Sequence, residues 1–476
     1  MALAKTGDLV PVLSRLERFL AKEGLTVYLV GGFVRDLLLS RQTKDIDIAI
    51  AGDAFQVGQK LAQAWEGHFV PLDEARGMAR IIIPEEGLSI DMVSLRGEVE
   101  QDLRSRDFTV DAMAIKLGEE EVIDPLNGRA DLKRGLIRLS SESALVEDPL
   151  RLLRAVRLAS ELGFTIEAET EKLLQKHSDL IAGMAGERLR EELMRILSRP
   201  GTYDWFRFLD KVGLLGSLFP ELSAAKGVQQ PPEHFWNVFD HSLETVRAVE
   251  SLLQEGSWGE AVSLAPWSPQ LAEYFHEDVS SFPRKALVKL AALLHDVAKP
   301  QTRTVEESGK MRFLGHAQEG AATARGIMER LRFSQREIKF VDSLIYHHLR
   351  PAQMGDGGLP TPRAIYRFFR DTQEAAIASL FLSLADHLAA RGPQLIEESW
   401  RGHIQQTQYI LDEYLHRQQE VKPPKILDGH DLIRIFELKP GPVVGQLLDV
   451  VKEAQAAGEV SSREEALDLV KRQLGQ

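Results

Sequence analysis

One short stretch near the amino terminus carries the residue types that nucleotidyl transfer requires. Gly31 and Gly32 lack a Cβ, so their backbone could approach a phosphate closely. Arg35 could pair with a phosphate oxygen, and Asp45 and Asp47 could share divalent cations. Two such metals would stabilise an attacking hydroxyl and a departing pyrophosphate. The stretch therefore indicates transfer of a nucleotide from a triphosphate.

These residues need a particular order of elements to act together. The sequence predicts a buried strand over residues 27–30, a turn at Gly31-Gly32, a short helix over 33–40 and a second strand over 45–50. Residues two apart in a strand face the same side, so both aspartates would project together. Taken singly, a Gly-Gly pair is typical of a hairpin turn, and two alternating aspartates are typical of a strand exposed to solvent. Their order and spacing favour the catalytic interpretation.

A third carboxylate is a candidate for the same site. Residues 88–95 alternate between apolar and polar types as a strand does, and Asp91 lies in the middle. A lone aspartate in a strand more often faces solvent. Asp91 is therefore a candidate catalytic residue, with a solvated surface position as the alternative.

Four further motifs follow in order along the chain. They are RDFT at 106–109 with Ala112-Met113, DPLNG at 124–128 with Asp131 and Arg138, EDPLR at 147–151, and Glu187-Arg188 with Glu191. With the first stretch, they resemble the class II tRNA nucleotidyltransferase and bacterial poly(A) polymerase superfamily, whose head domain is related to DNA polymerase beta. The resemblance implies that Arg106 and Asp107 contact the sugar and triphosphate, and that Asp148 and Arg151 read the incoming base.

The resemblance also implies an α+β multidomain fold. A nucleotidyltransferase head, with a mixed sheet and helices, would cover residues 1–138. A helical neck that reads the base and binds RNA would cover 139–226. An all-α HD domain would follow at 227–391, and a helical tail that is a candidate for tRNA binding at 392–476.

Base reading by Asp148 and Arg151 also has a physical argument. A carboxylate accepts from an amino group and a guanidinium donates to a ring nitrogen or carbonyl oxygen, so the pair could match the Watson-Crick edges of both cytosine and adenine. Their spacing of three predicts one helical face, which Arg154 and Arg157 would continue toward the phosphates. The alternative is a surface helix with ion pairs, and the upstream motifs favour base reading.

The chain departs from the family pattern in three places. Ser105 replaces the first of two usual arginines, and Asp111 stands where the family usually has Asn, which exchanges a donor and acceptor for an acceptor-only group. Only residues 96–105 separate the predicted strand from Arg106, whereas relatives that add adenosine usually have a considerably longer flexible loop. A switch from C to A requires the base-reading side chains to move. The short connection thus favours the subfamily that adds only the two cytidines, unless another segment replaces the loop.

A second constellation lies in the carboxy-terminal half and resembles the HD phosphohydrolase superfamily. Its ligands, in order, are His241, His295, Asp296, His316, His348 and Asp386. Imidazoles and carboxylates suit a divalent cation such as Mn²⁺, Ni²⁺ or Mg²⁺, and a metal held by the Asp of the His-Asp pair would activate water for attack on a phosphoester. A single histidine on an apolar helix face is more often a packed core residue. The full ordered set favours a metal site.

RNA binding needs a local basic strip, because the chain as a whole is acidic. A net charge of -13 argues against a general nucleic-acid coat, since affinity for phosphates comes from local Lys and Arg. We expect shape recognition of a tRNA acceptor stem. The basic residues that we expect to contact it are Lys133, Arg134, Arg138 and Arg188.

The composition limits the setting. The chain has no cysteine, which excludes disulfides and thiolate metal sites, and its hydrophobic share of 44% is ample for packed cores. It has neither a signal-like amino terminus nor an 18-residue apolar run. We therefore expect a soluble cytoplasmic protein with no membrane partner. The oligomeric state is not predicted.

Together these features predict a template-independent transferase that extends a tRNA 3′ end from CTP, using Mg²⁺ held by Asp45 and Asp47. ATP as a further substrate, and so a full CCA- or A-adding activity, stays open. A poly(A) polymerase is an alternative, although such enzymes usually carry a strongly basic tail. A metal-dependent phosphohydrolase with a regulatory head is another. A non-catalytic RNA-binding protein would need damaged acids, and the central acids are intact.

Overall fold

The structure, a computed structural model, describes residues 10–74, 77–95, 97–355, 358–419 and 426–475. Arg96, the first residue of the predicted short connection, lies outside these ranges. The chain divides into two compact units. The first comprises Met1–Met184 and Phe208–Leu218, and the second comprises Ala185–Arg207 and Phe219–Gln476. The four-part division stays a prediction.

A seven-stranded mixed sheet forms the centre of the first unit. Its strands are β1 Val27–Val30, β2 Asp45–Ile50, β3 His68–Asp73, β4 Met78–Ile83, β5 Leu88–Ser94, β6 Ala114–Lys116 and β7 Val122–Ile123. Their order is β3-β4-β5-β2-β1-β6-β7. β2 and β5 are parallel, and the other neighbouring pairs are antiparallel. The mixed sheet expected for the head is confirmed.

Helices accompany and follow this sheet. They are α1 Val10–Lys22, α2 Gly31–Leu38, α3 Ala54–Ala64, α4 Val99–Arg104, α5 Gly128–Arg134, α6 Ser143–Glu147, α7 Arg151–Leu162 and α8 Ala168–Lys176. Strands β8 Leu136–Ile137 and β9 Thr165–Ile166 form a small parallel pair. The helix expected over 33–40 begins two residues earlier, because the chain changes direction within Gly31 alone, whose φ is +64°. Glycine reaches this left-handed region without a Cβ clash.

Four helices cover the region where the chain passes between the units. They are α9 Gly186–Leu197, α10 Thr202–Lys211, α11 Leu214–Leu218 and α12 Pro220–Ser223. Helix α10 contains the boundary at residues 207 and 208.

Among the described residues, the rest of the second unit forms helices and one hairpin. Its helices are α13 Val238–Leu252, α14 Pro269–His276, α15 Arg284–Leu294, α16 Lys299–Thr302, α17 His316–Arg330, α18 Gln335–His347, α19 Arg350–Gln353, α20 Pro362–Thr372, α21 Ala376–Arg391, α22 Glu397–Gln419, α23 Gly429–Ile435, α24 Pro442–Ala456 and α25 Arg463–Leu474. β10 Thr304–Val305 and β11 Met311–Arg312 form the hairpin.

Two apolar cores matter for the arrangement of this unit. Helices α13, α15, α18 and α21 pack together, and every residue of α15 except Lys285 is buried. Helices α23 to α25 enclose a small core of their own. No helix within the described ranges combines the length and apolar character that crossing a membrane requires.

Candidate functional site

The catalytic candidates in the first unit lie on two neighbouring parallel strands. Asp47 on β2 stands directly across from Asp91 on β5, and Asp45 stands across from Ser89. The alternation of β2 explains the placement of its acids, because Ile46 and Ile48 are fully buried between them. The structure thus brings all three predicted carboxylates to one region of the sheet.

An arginine that sequence reasoning missed contacts one of these carboxylates. Arg80 on β4 is the cross-strand partner of Asp91, and its Nε and Nη2 donate to the two carboxylate oxygens at 2.7 Å each. The alternation of β4, in which Ala79 and Ile81 are buried, indicates that Arg80 points to the other face. Only the register between β4 and β5 identifies its partner.

Asp47 is held in a state that a divalent cation would stabilise. Burial, together with the charge of Asp91, raises the pKa of Asp47 to about 6. One of its oxygens, Oδ2, accepts from the backbone N–H of Phe33 at 3.2 Å, which fixes the carboxylate at the start of α2. A divalent cation would offset the repulsion between the two acids, so these residues fit a metal.

The two glycines make room beside these acids. A Cβ on Gly31 would lie 2.7 Å from Nη1 of Arg106, and a Cβ on Gly32 would lie 3.4 Å from both Nη2 of Arg35 and Oδ2 of Asp47. The backbone N–H of Gly31 already donates to the carbonyl of Met113 at 3.3 Å. The contribution of Gly31 to the site is therefore the space left by its missing side chain. The result is a cradle between two guanidinium groups and the carboxylate of Asp47. A triphosphate fits such a place by charge.

Arg35 is held by two carboxylates of its own unit. Its Nε and Nη2 donate to Asp36 at 2.9 and 3.1 Å, and its Nη1 donates to Asp111 at 2.7 Å. Asp111 is one of the two residues that depart from the family pattern. A neutral Asn at that position would form a hydrogen bond but no ion pair.

Asp148 and Arg151 do not share a helical face, so that prediction is wrong. Asp148 follows the end of α6 with an extended backbone, and Arg151 is the first residue of α7. Pro149 explains the break, because the residue before a proline avoids the helical region. The two residues remain close in the chain, and the N–H of Arg151 donates to the Asp148 carbonyl at 3.1 Å.

The arginines of α7 have different partners. Arg151 and Arg154 both contact Asp107. Arg157 is largely buried and pairs with Glu161 on the same helix at 2.6 Å. The structure therefore brings the first two arginines to the RDFT segment, while Arg157 forms a separate pair.

The predicted RNA-binding residues occupy surface positions. Lys133 and Arg134 are exposed in the last turn of α5. Arg138 pairs with Asp131 at 3.0 Å and is also close to Glu167. Arg188, which lies on α9 in the second unit, is exposed as well. Their role in RNA binding stays a prediction.

The second unit brings together the six predicted HD ligands. They are His241 on α13, His295 and Asp296 after α15, His316 at the start of α17, His348 after α18 and Asp386 on α21. Nε2 of His241 lies 3.2 Å from Nε2 of His295 and 3.0 Å from Oδ1 of Asp386. Three overlapping sets of these residues each place their ligand atoms within 4.8 Å of one another.

Three of the histidines are oriented by the same device. Nδ1 of His295, His316 and His348 each donates to a backbone carbonyl three residues earlier, at 2.8, 2.7 and 2.6 Å. This hydrogen bond fixes the tautomer and directs Nε2 to the cluster, as in metal-binding histidines. Nε2 of His316 is buried and makes no hydrogen bond to the described residues. These residues fit a divalent metal.

Charges within the cluster are strongly coupled. Burial alone would lower the pKa of His295, but the carboxylates of Asp296 and Asp386 outweigh it and raise that pKa to about 10. Burial and the charge of His295 lower the pKa of His348 to about 4. The proton on His295 thus neutralises part of the negative charge of Asp296 and Asp386. A bound metal cation would take the place of this proton.

A cavity of about 660 Å³ opens onto this cluster. Residues 230–234 and 308–314 line it together with Lys299, His316, His348 and Asp386. Lys299, which sequence reasoning missed, lies 2.6 Å from Oδ2 of Asp296 and donates to Gln230 at 2.7 Å. Its spacing of three from Asp296 was an available signal, because such spacing brings side chains together on a helical turn.

Models of three protein families match the chain. The Poly A polymerase head domain matches residues 27–100 and 85–138, and the probable RNA and SrmB-binding site of polymerase A matches 163–226. The HD domain matches residues 238–391.

Named relatives match over nearly the whole length. The chain is 35% identical to the CC-adding tRNA nucleotidyltransferase of Thermus thermophilus over 446 residues, which cover 92% of this chain and 91% of that protein. It is 34% identical to the A-adding tRNA nucleotidyltransferase of Deinococcus radiodurans, over 93% of this chain and 94% of that protein. Its fold matches that of the Thermotoga maritima CCA-adding enzyme solved with tRNA, with a TM-score of 0.64, 23% identity and coverage of 99% and 98%.

Proposed function

This chain belongs to the tRNA nucleotidyltransferase family, and from that premise we propose that it adds the two cytidines of the CCA end of tRNA from CTP. The observation that carries the proposal is the pairing of Asp47 with Asp91 beside the glycine cradle. It joins a carboxylate pair suited to a metal with a space suited to a triphosphate. Relatives of near-equal identity are named CC-adding and A-adding, so the subtype needs its own argument.

The triphosphate would lie in the cradle, between the guanidinium groups of Arg35 and Arg106. Their charges would offset those of the phosphates and hold the α-phosphorus in line with the tRNA 3′-hydroxyl. Both arginines are already oriented by carboxylates, Arg35 by Asp36 and Asp111, and Arg106 by Asp102 at 3.1 Å. Such orientation lowers the cost of ordering these side chains when a nucleotide binds.

Asp45 and Asp47 would hold Mg²⁺, with Asp91 as the third carboxylate. Mg²⁺, when bound, supplies charge that stabilises the attacking and departing oxygens. The residues themselves place that charge, because β2 and β5 fix the acids side by side. Arg80, which holds Asp91 in a bidentate pair, would have to turn toward solvent if both oxygens of Asp91 were needed.

Asp148 and Arg151 would select the base. The carboxylate accepts from the amino group of cytosine, and the guanidinium donates to its ring nitrogen and carbonyl oxygen. Although they lie on either side of a break in the helix, Arg151 is the first residue of α7 and the backbone bond between the two keeps them adjacent.

The CC-adding subtype rests on the short connection between β5 and Arg106. The connection contains the six-residue helix α4, whose last residue is two positions before Arg106. This helix, with Leu103 buried, supports an ordered segment over residues 99–104 in place of a long flexible loop. Without such a loop, the base-reading residues would not move to accept adenine.

Primer extension tests this function directly. The full chain is given Mg²⁺ and a tRNA that lacks its 3′ CCA, with CTP alone, ATP alone or both, and products are resolved to one nucleotide. We expect growth by two with CTP and no further growth when ATP is added. A third nucleotide that appears only with ATP would show complete CCA synthesis and reject the subtype, and an absence of any extension would reject nucleotide addition.

The tRNA acceptor end is the proposed RNA partner. Lys133 and Arg134 would contact its backbone, with Arg138 and Arg188 as further contacts. A substrate of this kind supports the cytoplasm as the protein's location.

A second function is supported by the HD cluster and its cavity. We propose that the second unit hydrolyses phosphoesters with a divalent metal such as Mn²⁺, Ni²⁺ or Mg²⁺ held by the six ligands. Nε2 of His316, which makes no hydrogen bond to the described residues, and the cavity of about 660 Å³ that opens onto it support a substrate approach from that side. Release of p-nitrophenol from bis-p-nitrophenyl phosphate, measured with each metal, tests this. Activity that survives Asp296→Asn would reject the site.

A further inference from the structure

Asp107 contacts two arginines of α7 at once, one on each carboxylate oxygen. Nε of Arg151 lies 2.5 Å from Oδ1, and Nη1 of Arg154 donates to Oδ2. The side chains of Asp107, Arg151 and Arg154 are only 17%, 14% and 33% exposed. Charges in such a poorly hydrated place attract one another more strongly than at an open surface.

The backbone that carries Asp107 is itself fixed. The N–H of Ser140 donates to the Asp107 carbonyl at 3.1 Å, and the N–H of Thr109 donates to the Arg138 carbonyl at 3.0 Å. These bonds join the RDFT segment to the segment that leads into α6. Asp107 is therefore a fixed point from which the arginines of α7 are positioned.

We propose that Asp107 is a positioning residue for base selection, because it sets the direction of the Arg151 guanidinium. A second contact completes the restraint, since Nη1 of Arg151 donates to the Ala144 carbonyl at 2.8 Å. The ion pair beside Nε and the hydrogen bond from Nη1 restrain the planar guanidinium at two points, so its remaining donors keep one direction. Discrimination between bases depends on such a fixed direction.

This inference rests on the proposed function, in which Arg151 reads the base. It adds a role that differs from a contact of Asp107 with the sugar. A sugar contact would affect all ribonucleotides equally. An effect through Arg151 changes the preference for one base over another.

The test compares Asp107→Asn with the wild-type full chain. Addition to a tRNA without CCA is measured with CTP and with UTP, and the ratio of their kcat/KM values is the readout. Asparagine keeps the size of the side chain but is neutral and has one acceptor oxygen instead of two, so it cannot form both ion pairs. We expect the preference for CTP over UTP to fall by about tenfold or more.

Asp102→Asn is the matched control. Asp102 lies 3.1 Å from Nη2 of Arg106, which the proposal assigns to the triphosphate. Both nucleotides carry the same triphosphate, so this variant should change kcat/KM for CTP and UTP by the same factor. The base preference should remain.

Two more variants make the outcome decisive. Arg154→Gln leaves Asp107 with Arg151 alone, so the base preference should persist, and adding it to Asp107→Asn should not lower the preference further. If thermal unfolding shows that Asp107→Asn is not folded, Asp107→Glu replaces it, because one additional methylene moves the carboxylate and should also lower the preference.

A folded variant at position 107 with the wild-type preference overturns the inference, and loss of discrimination between CTP and dCTP instead would assign Asp107 to the sugar. A wild-type protein that adds no nucleotide would reject the proposed function before the variants are considered.

Discussion

Asp111 and Arg35 form an ion pair of 2.7 Å at the edge of the nucleotide cradle. The same guanidinium also donates to Asp36 through Nε and Nη2. Arg35, which we assign to the triphosphate, therefore already contacts two carboxylates. The one that differs from the family pattern engages Nη1.

Asp111→Asn should strengthen nucleotide binding. The variant removes a negative charge that repels a triphosphate and competes for Nη1 of Arg35. We expect KM for CTP to fall about fivefold, equivalent to ~1 kcal/mol, with kcat little changed. Steady-state kinetics of CTP addition measure both constants.

Asp36→Asn is the control for this variant. It removes the same charge, but it also breaks the bidentate contact that orients the guanidinium. KM should therefore not fall. If both variants lower KM equally, the effect is one of general charge and not of competition for Arg35.

Gly31→Ala should abolish most nucleotide addition. Its Cβ would lie 2.7 Å from Nη1 of Arg106 and so displace a group that we assign to the triphosphate. Gly24→Ala is a matched control, because Gly24 has a similar φ of +68° and no atom within 4 Å of its Cβ position. Both changes should cost about 1 kcal/mol in backbone strain by thermal unfolding. Only Gly31→Ala should reduce kcat/KM, by tenfold or more, and equal activities would contradict the cradle.

Asp47→Asn should stabilise the metal-free protein at alkaline pH while abolishing catalysis. The pKa of Asp47 is about 6 in the folded chain, against a usual value of 3.8. A carboxyl with a raised pKa contributes stability at low pH, and that contribution is lost as the pH rises through about 6. In EDTA, wild type and variant should have similar free energies of unfolding near pH 4, and the variant should be more stable at pH 8 by at most about 3 kcal/mol.

Added Mg²⁺ supplies the control. It should raise the midpoint of thermal unfolding of the wild type at pH 8 and have less effect on Asp47→Asn. A variant that is less stable than the wild type across the whole pH range would argue against the raised pKa.

His316→Ala should weaken metal binding by the HD cluster and leave CTP addition unchanged. His316 offers Nε2 to the cluster, and its Nδ1 donates to Phe313. We expect affinity for Mn²⁺ to fall by at least about tenfold in calorimetry. His276→Ala is the matched control, since His276 makes the same kind of bond, to Ala272 at 2.7 Å, but is exposed on α14. Equal Mn²⁺ affinities of the two variants would count against His316 as a ligand.

The sequence predicted the placement of side chains well where that placement follows local periodicity. The alternation of Asp45 and Asp47 with buried isoleucines requires only that residues 45–50 form a strand, and they do. The break between Asp148 and Arg151 was also readable, because Pro149 disfavours a helical residue before it. The prediction of one helical face gave that rule too little weight.

Other features of the site depend on contacts between residues that are far apart in the sequence, and no local pattern specifies these contacts. Arg80 meets Asp91 because β4 and β5 pair in one register and not in a neighbouring one. Asp107 meets Arg151 because separate segments fold against each other. Such contacts follow from the tertiary structure, so a motif identifies the residue but not its partner.

The path of the chain between its two units constrains how this protein could have been assembled or taken apart. The chain passes from one unit to the other three times, since residues 185–207 belong to the second unit and 208–218 return to the first. No single cut of the backbone therefore yields two complete units. A gene fusion or truncation that treats the amino-terminal half as an independent cassette would leave out an eleven-residue segment of it, 208–218, and recombination between homologous genes should preserve this region as one block.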